Sequence, residues 1–126
     1  MIDVFKQHGA FSWVELLTDD VAAAKRFYSE LLGWTLEDLP DMNYTLIKTG
    51  AAQIGGMMKM PQQAKGAPPH WGCYVTVDDV DATARRAEDM GAKLLVPPTD
   101  IPKVGRFCVL QDPQGATLSI ITYKPM

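Results

Sequence analysis

One acidic side chain stands where it could support chemistry: Glu15, in the apolar segment AFSWVELL at residues 10–17. Side chains alternate between the two faces of a β-strand, so Glu15 shares a face with Trp13 if this segment is a strand. A carboxylate among apolar neighbours could serve as a general base or as a hydrogen-bond anchor for a ligand. The other interpretation is an ion pair with a base such as Arg106, because desolvated charges are usually paired. The sequence leaves both interpretations open.

The chain has only two histidines, His8 and His70, which limits the metal sites that it can build. His70 could bind a metal ion together with Glu15 if the strand that carries it is regular. The simpler interpretation is that His70 caps the proline-rich segment that ends at residues 68–69. Because His70 has so few partners of ligating type, we favour this second interpretation.

Both cysteines, Cys73 and Cys108, lie in apolar segments that resemble strands. This setting predicts two buried free thiols, although a disulfide between them is possible. No histidine lies near Cys108 in sequence, so a nucleophilic role for its thiol has little support.

The first sixty residues have the pattern β-α-β-β-β. After the strand-like segment at residues 10–17, helical spacing of apolar residues predicts a helix that is capped near Asp20 and ends at Gly33. Three further strand-like segments follow, which begin at Trp34, Asn43 and Ala52. The segment PQQAKGAPP at residues 61–69 then predicts an exposed linker.

The same order of elements returns after the linker. A strand at residues 71–77 precedes a helix that is capped near Asp79, 59 positions after Asp20. A short strand should stop at Pro97-Pro98, and two more strands flank a turn at residues 112–115. The agreement of every element indicates an internal repeat, with a first module at 8–60 and a second at 70–124.

The composition of the 126 residues is that of one ordinary globular domain, with 47% apolar residues and a net charge of −3. No basic run or long apolar stretch is present, which argues against nucleic acid or a membrane as a partner. The N-terminal residues lack the pattern of a secretory signal, so we expect a cytoplasmic protein.

Three segments carry a resemblance to a known family: FYSELLGW at 27–34, VDDVDA at 77–82 and GRFCVLQDPQGATLSII at 105–121. Taken in this order, they resemble the glyoxalase / bleomycin-resistance / extradiol-dioxygenase (vicinal oxygen chelate) superfamily. The resemblance implies one glyoxalase-like domain over 1–126. It implies an α+β fold, in which tandem βαβββ modules form an open, curled mixed sheet around a concave site, and a homodimer.

Metal-dependent members of that superfamily hold a metal ion with four His, Gln or Glu side chains from the first and last strands of each module. Carried over residue by residue, these positions fall on Trp13, on Gly55 or Gly56, on Gly72 and on Ser119. None of these residues is a good metal ligand. We therefore predict that the chain has neither a metal site nor another cofactor.

The resemblance also implies which side chains line the concave site. Tyr74 would share a strand face with Gly72, and Arg106 could recognise a carboxylate or a phosphate. The predicted ligand-binding residues are Trp13, Glu15, Gly56, Gly72, Tyr74, Arg106, Cys108 and Ser119, with Glu15 as the candidate catalytic residue.

Two functions from different classes follow from this pattern. The first is a metal-free protein that binds a small, largely apolar or planar molecule in the barrel cavity. The second is a lyase, isomerase or dioxygenase, which either depends on a metal or uses Glu15 as a base. A third interpretation, an interaction module, also stays open because a fold does not determine a function.

Overall fold

The computed structural model describes residues 3–61 and 67–124. The chain divides into two compact units, and most of the predicted linker lies outside the described residues. We call Trp13–Gly72 the N-terminal unit, and the described parts of Met1–Ser12 and Cys73–Met126 the C-terminal unit. Residues 3–12 belong with the second unit because Gly9 and Ala10 exchange backbone hydrogen bonds with Thr76 at 2.7 and 2.8 Å.

The N-terminal unit contains one helix and a mixed sheet with the strand order β2-β3-β4-β1. Its β1 and β4 run parallel, whereas β2, β3 and β4 pair antiparallel. The elements are β1 (Phe11–Thr18, whose first two residues belong to the C-terminal unit), α1 (Val21–Leu32), β2 (Thr35–Leu39), a 3₁₀ turn (Pro40–Met42), β3 (Tyr44–Thr49) and β4 (Ala52–Lys59).

The C-terminal unit repeats this arrangement with the strand order β5-β8-β7-β6. Here β5 and β8 run parallel, and β6, β7 and β8 pair antiparallel. The elements are β5 (His70–Thr76, whose first three residues belong to the N-terminal unit), α2 (Val80–Asp89), β6 (Lys93–Ile101), β7 (Gly105–Gln111) and β8 (Thr117–Tyr123). The predicted α+β class, the mixed sheet and the tandem βαβββ order are therefore confirmed.

Both helices begin at the predicted caps. The Asp20 side chain accepts a hydrogen bond from Ala23 N at 3.0 Å, and the Asp79 side chain accepts one from Ala82 N at 3.1 Å. At the end of α1, Gly33 adopts φ +72°, a left-handed conformation that glycine reaches without strain. None of the described helices is long and apolar enough to cross a membrane.

Two local predictions are wrong. The strand that Pro97-Pro98 was expected to stop continues through both prolines to Ile101. This strand, β6, ends the strand order of its unit and shifts register against β7 on both sides of Val96, so the missing N–H groups need not interrupt a ladder. In addition, Cys73 is exposed and only Cys108 is buried; both thiols are free.

Candidate functional site

The sheet of the N-terminal unit has one face that packs on α1 and one that does not. The buried residues Leu16, Ile47 and Met57 form the core, together with Val21 and Ala24 of α1. Because strand residues alternate, Glu15 on β1 and Gly56 on β4 point to the opposite face, where they lie side by side in register. We call this surface the helix-free face of the N-terminal unit.

A chain of hydrogen bonds crosses the helix-free face. The indole Nε1 of Trp13 donates to the hydroxyl oxygen of Tyr44 at 2.8 Å, and this hydroxyl donates to Oε2 of Glu15 at 2.8 Å. Glu15 is only 8% exposed, and buried polar groups need hydrogen-bond partners. The bond from Tyr44 supplies one such partner to the Glu15 side chain. Tyr44 was not among the predicted site residues, although the alternation of NYTLIKT would have placed it on the same face as Leu46.

Gly56 provides the space in which the Tyr44 ring lies. A Cβ atom at Gly56 would lie 2.0 Å from the Tyr44 hydroxyl oxygen and 2.2 Å from Cζ, far inside contact distance. The neighbouring Gly55 serves a different purpose, because its Cβ would lie 2.5 Å from the backbone oxygen of Val14. The missing side chain at Gly56 therefore leaves room for the Tyr44 ring. The missing side chain at Gly55 lets β4 approach β1 closely.

Gly72 and His70 lie at the start of β5. A Cβ atom at Gly72 would make ordinary contact with the backbone oxygen of Glu15 at 3.9 Å. The Nδ1 atom of His70 lies 2.8 Å from the backbone oxygen of Pro68. This bond agrees with the interpretation that His70 caps the proline-rich segment.

A groove of about 430 Å³ opens between the start of α1, the start of β3 and the end of β4. Its wall includes Tyr44, but neither Trp13 nor Glu15. Lys25 binds both carboxylate oxygens of Asp38 in this groove, at 2.8 and 2.9 Å, and these hydrogen bonds lower the pKa of that carboxyl. The groove and the hydrogen-bond chain thus share only Tyr44.

In the C-terminal unit, the predicted residues separate onto two faces of the sheet. Tyr74 and Ser119 are cross-strand neighbours on β5 and β8, and the Tyr74 ring lies 6.5 Å from that of Phe107. Cys108 points the other way and is fully buried in the core that includes Val80 and Ala84 of α2. Burial raises the pKa of the Cys108 thiol, which favours the thiol over the reactive thiolate.

Arg106 is engaged by acidic residues of its own unit. Its Nε and Nη2 atoms donate to the two oxygens of Asp81, at the start of α2, at 2.9 and 3.0 Å. Its Nη1 atom donates to Asp100 at 3.1 Å. The guanidinium holds the pKa of the Asp81 carboxyl below its usual value, and the Asp81 carboxylate in turn raises the pKa of Arg106. Arg106 thus binds Asp81 and Asp100, whereas Glu15 binds Tyr44.

The residues at the four positions implied by the family resemblance do not fit a metal ion. Trp13 and Ser119 supply an indole and a hydroxyl, and Gly56 and Gly72 have no side chain. Within residues 3–61 and 67–124, no group of three or more His, Cys, Asp or Glu side chains gathers in a way that could hold a metal.

The sequence matches known proteins over nearly its whole length. CFP32 of Mycobacterium tuberculosis, which bears the provisional name of a glyoxylase, is 44% identical over 120 residues, covering 93% of this chain and 45% of CFP32. DnrV of Streptomyces peucetius, named an anthracycline biosynthesis protein, is 35% identical over 118 residues, covering 92% of this chain and 42% of DnrV. The chain thus spans less than half the length of these two relatives.

Solved structures share the fold at low sequence identity. Methylmalonyl-CoA epimerase from M. tuberculosis matches with a TM-score of 0.62 and 20% identity over 93% of this chain and 89% of the epimerase. A homoprotocatechuate 2,3-dioxygenase variant from B. fuscum matches with a TM-score of 0.63 and 16% identity over 91% of this chain and 32% of the dioxygenase. At these identities the likeness concerns the fold alone.

The family model described as Glyoxalase/Bleomycin resistance protein/Dioxygenase superfamily matches residues 10–120. This range includes the strands of both units as far as Ile120 on β8. The chain therefore belongs to the glyoxalase/bleomycin resistance protein/dioxygenase superfamily.

Proposed function

We propose that this chain binds a small, planar and largely apolar molecule on the helix-free face of the N-terminal unit, without a metal ion. One observation carries the proposal: the hydrogen-bonded chain of Trp13, Tyr44 and Glu15 occupies this face. Of the four positions implied for metal ligands, Trp13 belongs to this chain and Gly56 leaves the space for the Tyr44 ring.

The chemistry of these side chains suits such a ligand. Trp13 and Tyr44 are both partly exposed and offer flat, apolar ring surfaces. Glu15 adds one polar group at a defined position, and small-molecule sites combine apolar walls with a few such groups. The name of DnrV points the same way, because anthracyclines are planar polycyclic molecules.

The test begins with protein purified without a chelator, in which bound Ni, Zn, Fe and Mn are measured. We expect less than stoichiometric metal, and a stoichiometric metal would contradict the proposal. The same protein is then titrated with 2-naphthol, a small planar aromatic molecule, while indole NMR signals are observed. Binding should weaken in Trp13→Phe and persist in the control Trp71→Phe, since Trp71 instead packs with Tyr28 and Trp34. Equal effects of the two substitutions would place the ligand elsewhere.

An enzyme of the lyase, isomerase or dioxygenase class is the second candidate, favoured by the burial of Glu15 and by the name of CFP32. In this case Glu15 removes a proton from the substrate. The hemithioacetal of methylglyoxal and glutathione is a suitable first substrate for the assay. Turnover by metal-free protein that Glu15→Gln abolishes would favour the enzyme, whereas unchanged turnover would exclude Glu15 as the base.

The cellular location, the oligomeric state and the partners of the protein belong to the same proposal. We propose a cytoplasmic homodimer that binds neither nucleic acid nor a membrane. Cell fractionation tests the location, and sedimentation equilibrium tests the dimer. A membrane-bound fraction or a mass of one chain, 13.9 kDa, would contradict the respective part.

A further inference from the structure

Helix α1 carries a group of apolar side chains that the chain leaves exposed. Phe27, Leu31 and Leu32 are 57%, 62% and 52% exposed, and Phe27 and Leu31 are one helical turn apart on the same side of the helix. The Phe27 ring lies 4.9 Å from the ring of Tyr28. The Tyr28 ring lies 5.3 Å from that of Trp71, which is 37% exposed. We call these five residues the α1 patch, and all of them belong to the N-terminal unit.

The repeated helix α2 shows that the fold does not require apolar residues at these positions. The N-caps of the two helices are 59 positions apart in sequence, so Phe27 on α1 corresponds to Arg86 on α2, and Leu32 corresponds to Gly91. A cation and a glycine thus occupy two places at which α1 has large apolar side chains. The apolar character of the α1 patch therefore calls for a reason other than the packing of a helix on its sheet.

The composition of the α1 patch is that of an interface centre. Single exposed apolar residues are ordinary on a protein surface, whereas a contiguous patch marks an interaction site. The buried centre of a protein interface is rich in aromatic residues and poor in charge, and polar residues form its rim. The α1 patch consists of three aromatic residues and two leucines. Because a stable interface buries about 800 Å² on each partner, residues around the patch must complete the rim.

Two exposed charges of opposite sign lie beside the α1 patch. Arg26 precedes Phe27 in the sequence and Glu30 precedes Leu31, one helical turn further on. Within residues 3–61 and 67–124, neither charged side chain forms an ion pair. When two copies of a helix pack antiparallel about a two-fold axis, residue i of one copy contacts residue j of the other, and j contacts i. An axis near the middle of this turn therefore brings Arg26 beside the partner's Glu30, and Glu30 beside the partner's Arg26.

We propose that the α1 patch binds a second copy of this chain, with the two α1 helices antiparallel about a two-fold axis. The apolar side chains form the centre of the interface, and the two pairs of Arg26 and Glu30 lie at its rim. The inference rests on the homodimer of the proposed function, because it assigns the surface that forms this dimer. Rim charges of this kind select the partner and the relative orientation of the helices.

The first experiment tests the centre of the interface by sedimentation equilibrium. Wild-type protein should have twice the mass of one chain, 13.9 kDa. Leu31→Lys should raise the dissociation constant of the dimer at least about tenfold, because it places a charge in an apolar centre. The matched control is Met90→Lys, since Met90 is 67% exposed and occupies on α2 the position that Leu31 has on α1. A dimer that Leu31→Lys weakens no more than Met90→Lys would overturn the inference.

The second experiment tests the antiparallel arrangement with two charge reversals. Arg26→Glu and Glu30→Arg should each raise the dissociation constant about threefold or more, because each replaces two attractive pairs by two repulsive ones. In a mixture of the two variants, every pair across the interface is again attractive. The heterodimer should therefore exceed the proportion expected from random mixing, as measured by native mass spectrometry, which distinguishes the two chains by mass. A heterodimer at the random proportion would overturn the arrangement. Both side chains are exposed, so this test decides the inference even if Leu31→Lys does not fold.

The outcomes separate this inference from the proposed ligand binding. A wild-type protein with the mass of one chain would overturn the inference and the proposed homodimer together, whatever the result of the 2-naphthol titration. A dimer that persists in Leu31→Lys would overturn the inference alone. A dimer that depends on Leu31 but does not bind 2-naphthol would support the inference and contradict the proposed ligand binding.

Discussion

Replacement of Gly56 by alanine is the sharpest test of how the helix-free face is built. The added methyl group would lie 2.0 Å from the Tyr44 hydroxyl oxygen and 2.2 Å from both Cε2 and Cζ of the ring. No carbon–carbon or carbon–oxygen contact can be this short, so either the backbone shifts or the ring moves away.

Both responses predict a similar decrease in the free energy of unfolding. If the ring stays, overpacking of a tight contact costs about 1–3 kcal/mol. If the ring swings away, the bonds from Trp13 and to Glu15 are lost, and two net hydrogen bonds at about 0.5–1.5 kcal/mol each give about 1–3 kcal/mol. We therefore expect Gly56→Ala to lower the free energy of unfolding by about 1–3 kcal/mol.

Gly72→Ala is the matched control, because its methyl group would lie 3.9 Å from the nearest atom, the backbone oxygen of Glu15. It should change stability by no more than about 0.5 kcal/mol. Urea denaturation measures both variants, with the slope of the transition as a check on the unfolded state. A loss in Gly56→Ala that is no larger than in Gly72→Ala would refute the steric argument.

A double-mutant cycle identifies the residue that causes the loss. In a Tyr44→Ala background the clash is absent, so Gly56→Ala should cost little there, and the coupling energy should account for most of its effect in wild-type protein. Gly55→Ala should be costly in both backgrounds, because its methyl group meets the Val14 backbone rather than a side chain. If Gly56→Ala lowers the free energy of unfolding just as much in the Tyr44→Ala background, the glycine is required by the backbone conformation and not by the Tyr44 ring.

Other measurements test the C-terminal unit and the helix caps. A thiol reagent should modify Cys73 and not Cys108 in native protein, as read by mass spectrometry, and equal modification of both would contradict the burial of Cys108. Because burial raises the pKa of Cys108, its contribution to stability should be intact below the unfolded thiol pKa of about 8.5 and be lost as pH rises toward the folded value. Cys108→Ala should remove that part of the pH dependence of unfolding, and an unchanged profile would contradict it. Arg106→Ala should leave the free energy of unfolding nearly unchanged, since the side chains of Arg106 and Asp81 are 39% and 42% exposed; a large loss would show that their pair supports the fold. Asp20→Ala should cost about 1 kcal/mol in urea denaturation by removing a helix cap, whereas Asp20→Asn, which keeps an acceptor, should cost less.

The order of the elements and the family could be predicted from the sequence alone. Alternating apolar residues, the caps at Asp20 and Asp79 and the end of α1 at Gly33 are local signals, which depend on residues that are close together in sequence. The resemblance carried by residues 27–34, 77–82 and 105–121 agrees with the family model that matches 10–120. The predicted end of a strand at Pro97-Pro98 was wrong, because a proline breaks a strand only where its missing N–H would face a partner strand.

The site needed the tertiary structure, because side-chain partners come from strands that are distant in sequence. The local pattern placed Trp13 and Glu15 on one face, but Tyr44 reaches both from 29 or more residues away, through a gap that Gly56 leaves on a third strand. In the same way, the sequence could not tell that Arg106 pairs with Asp81 at the start of α2, or that Cys108 packs among the core residues around Ala84. Strand alternation assigns residues to two faces, but only the packed helix decides which of the two faces becomes core.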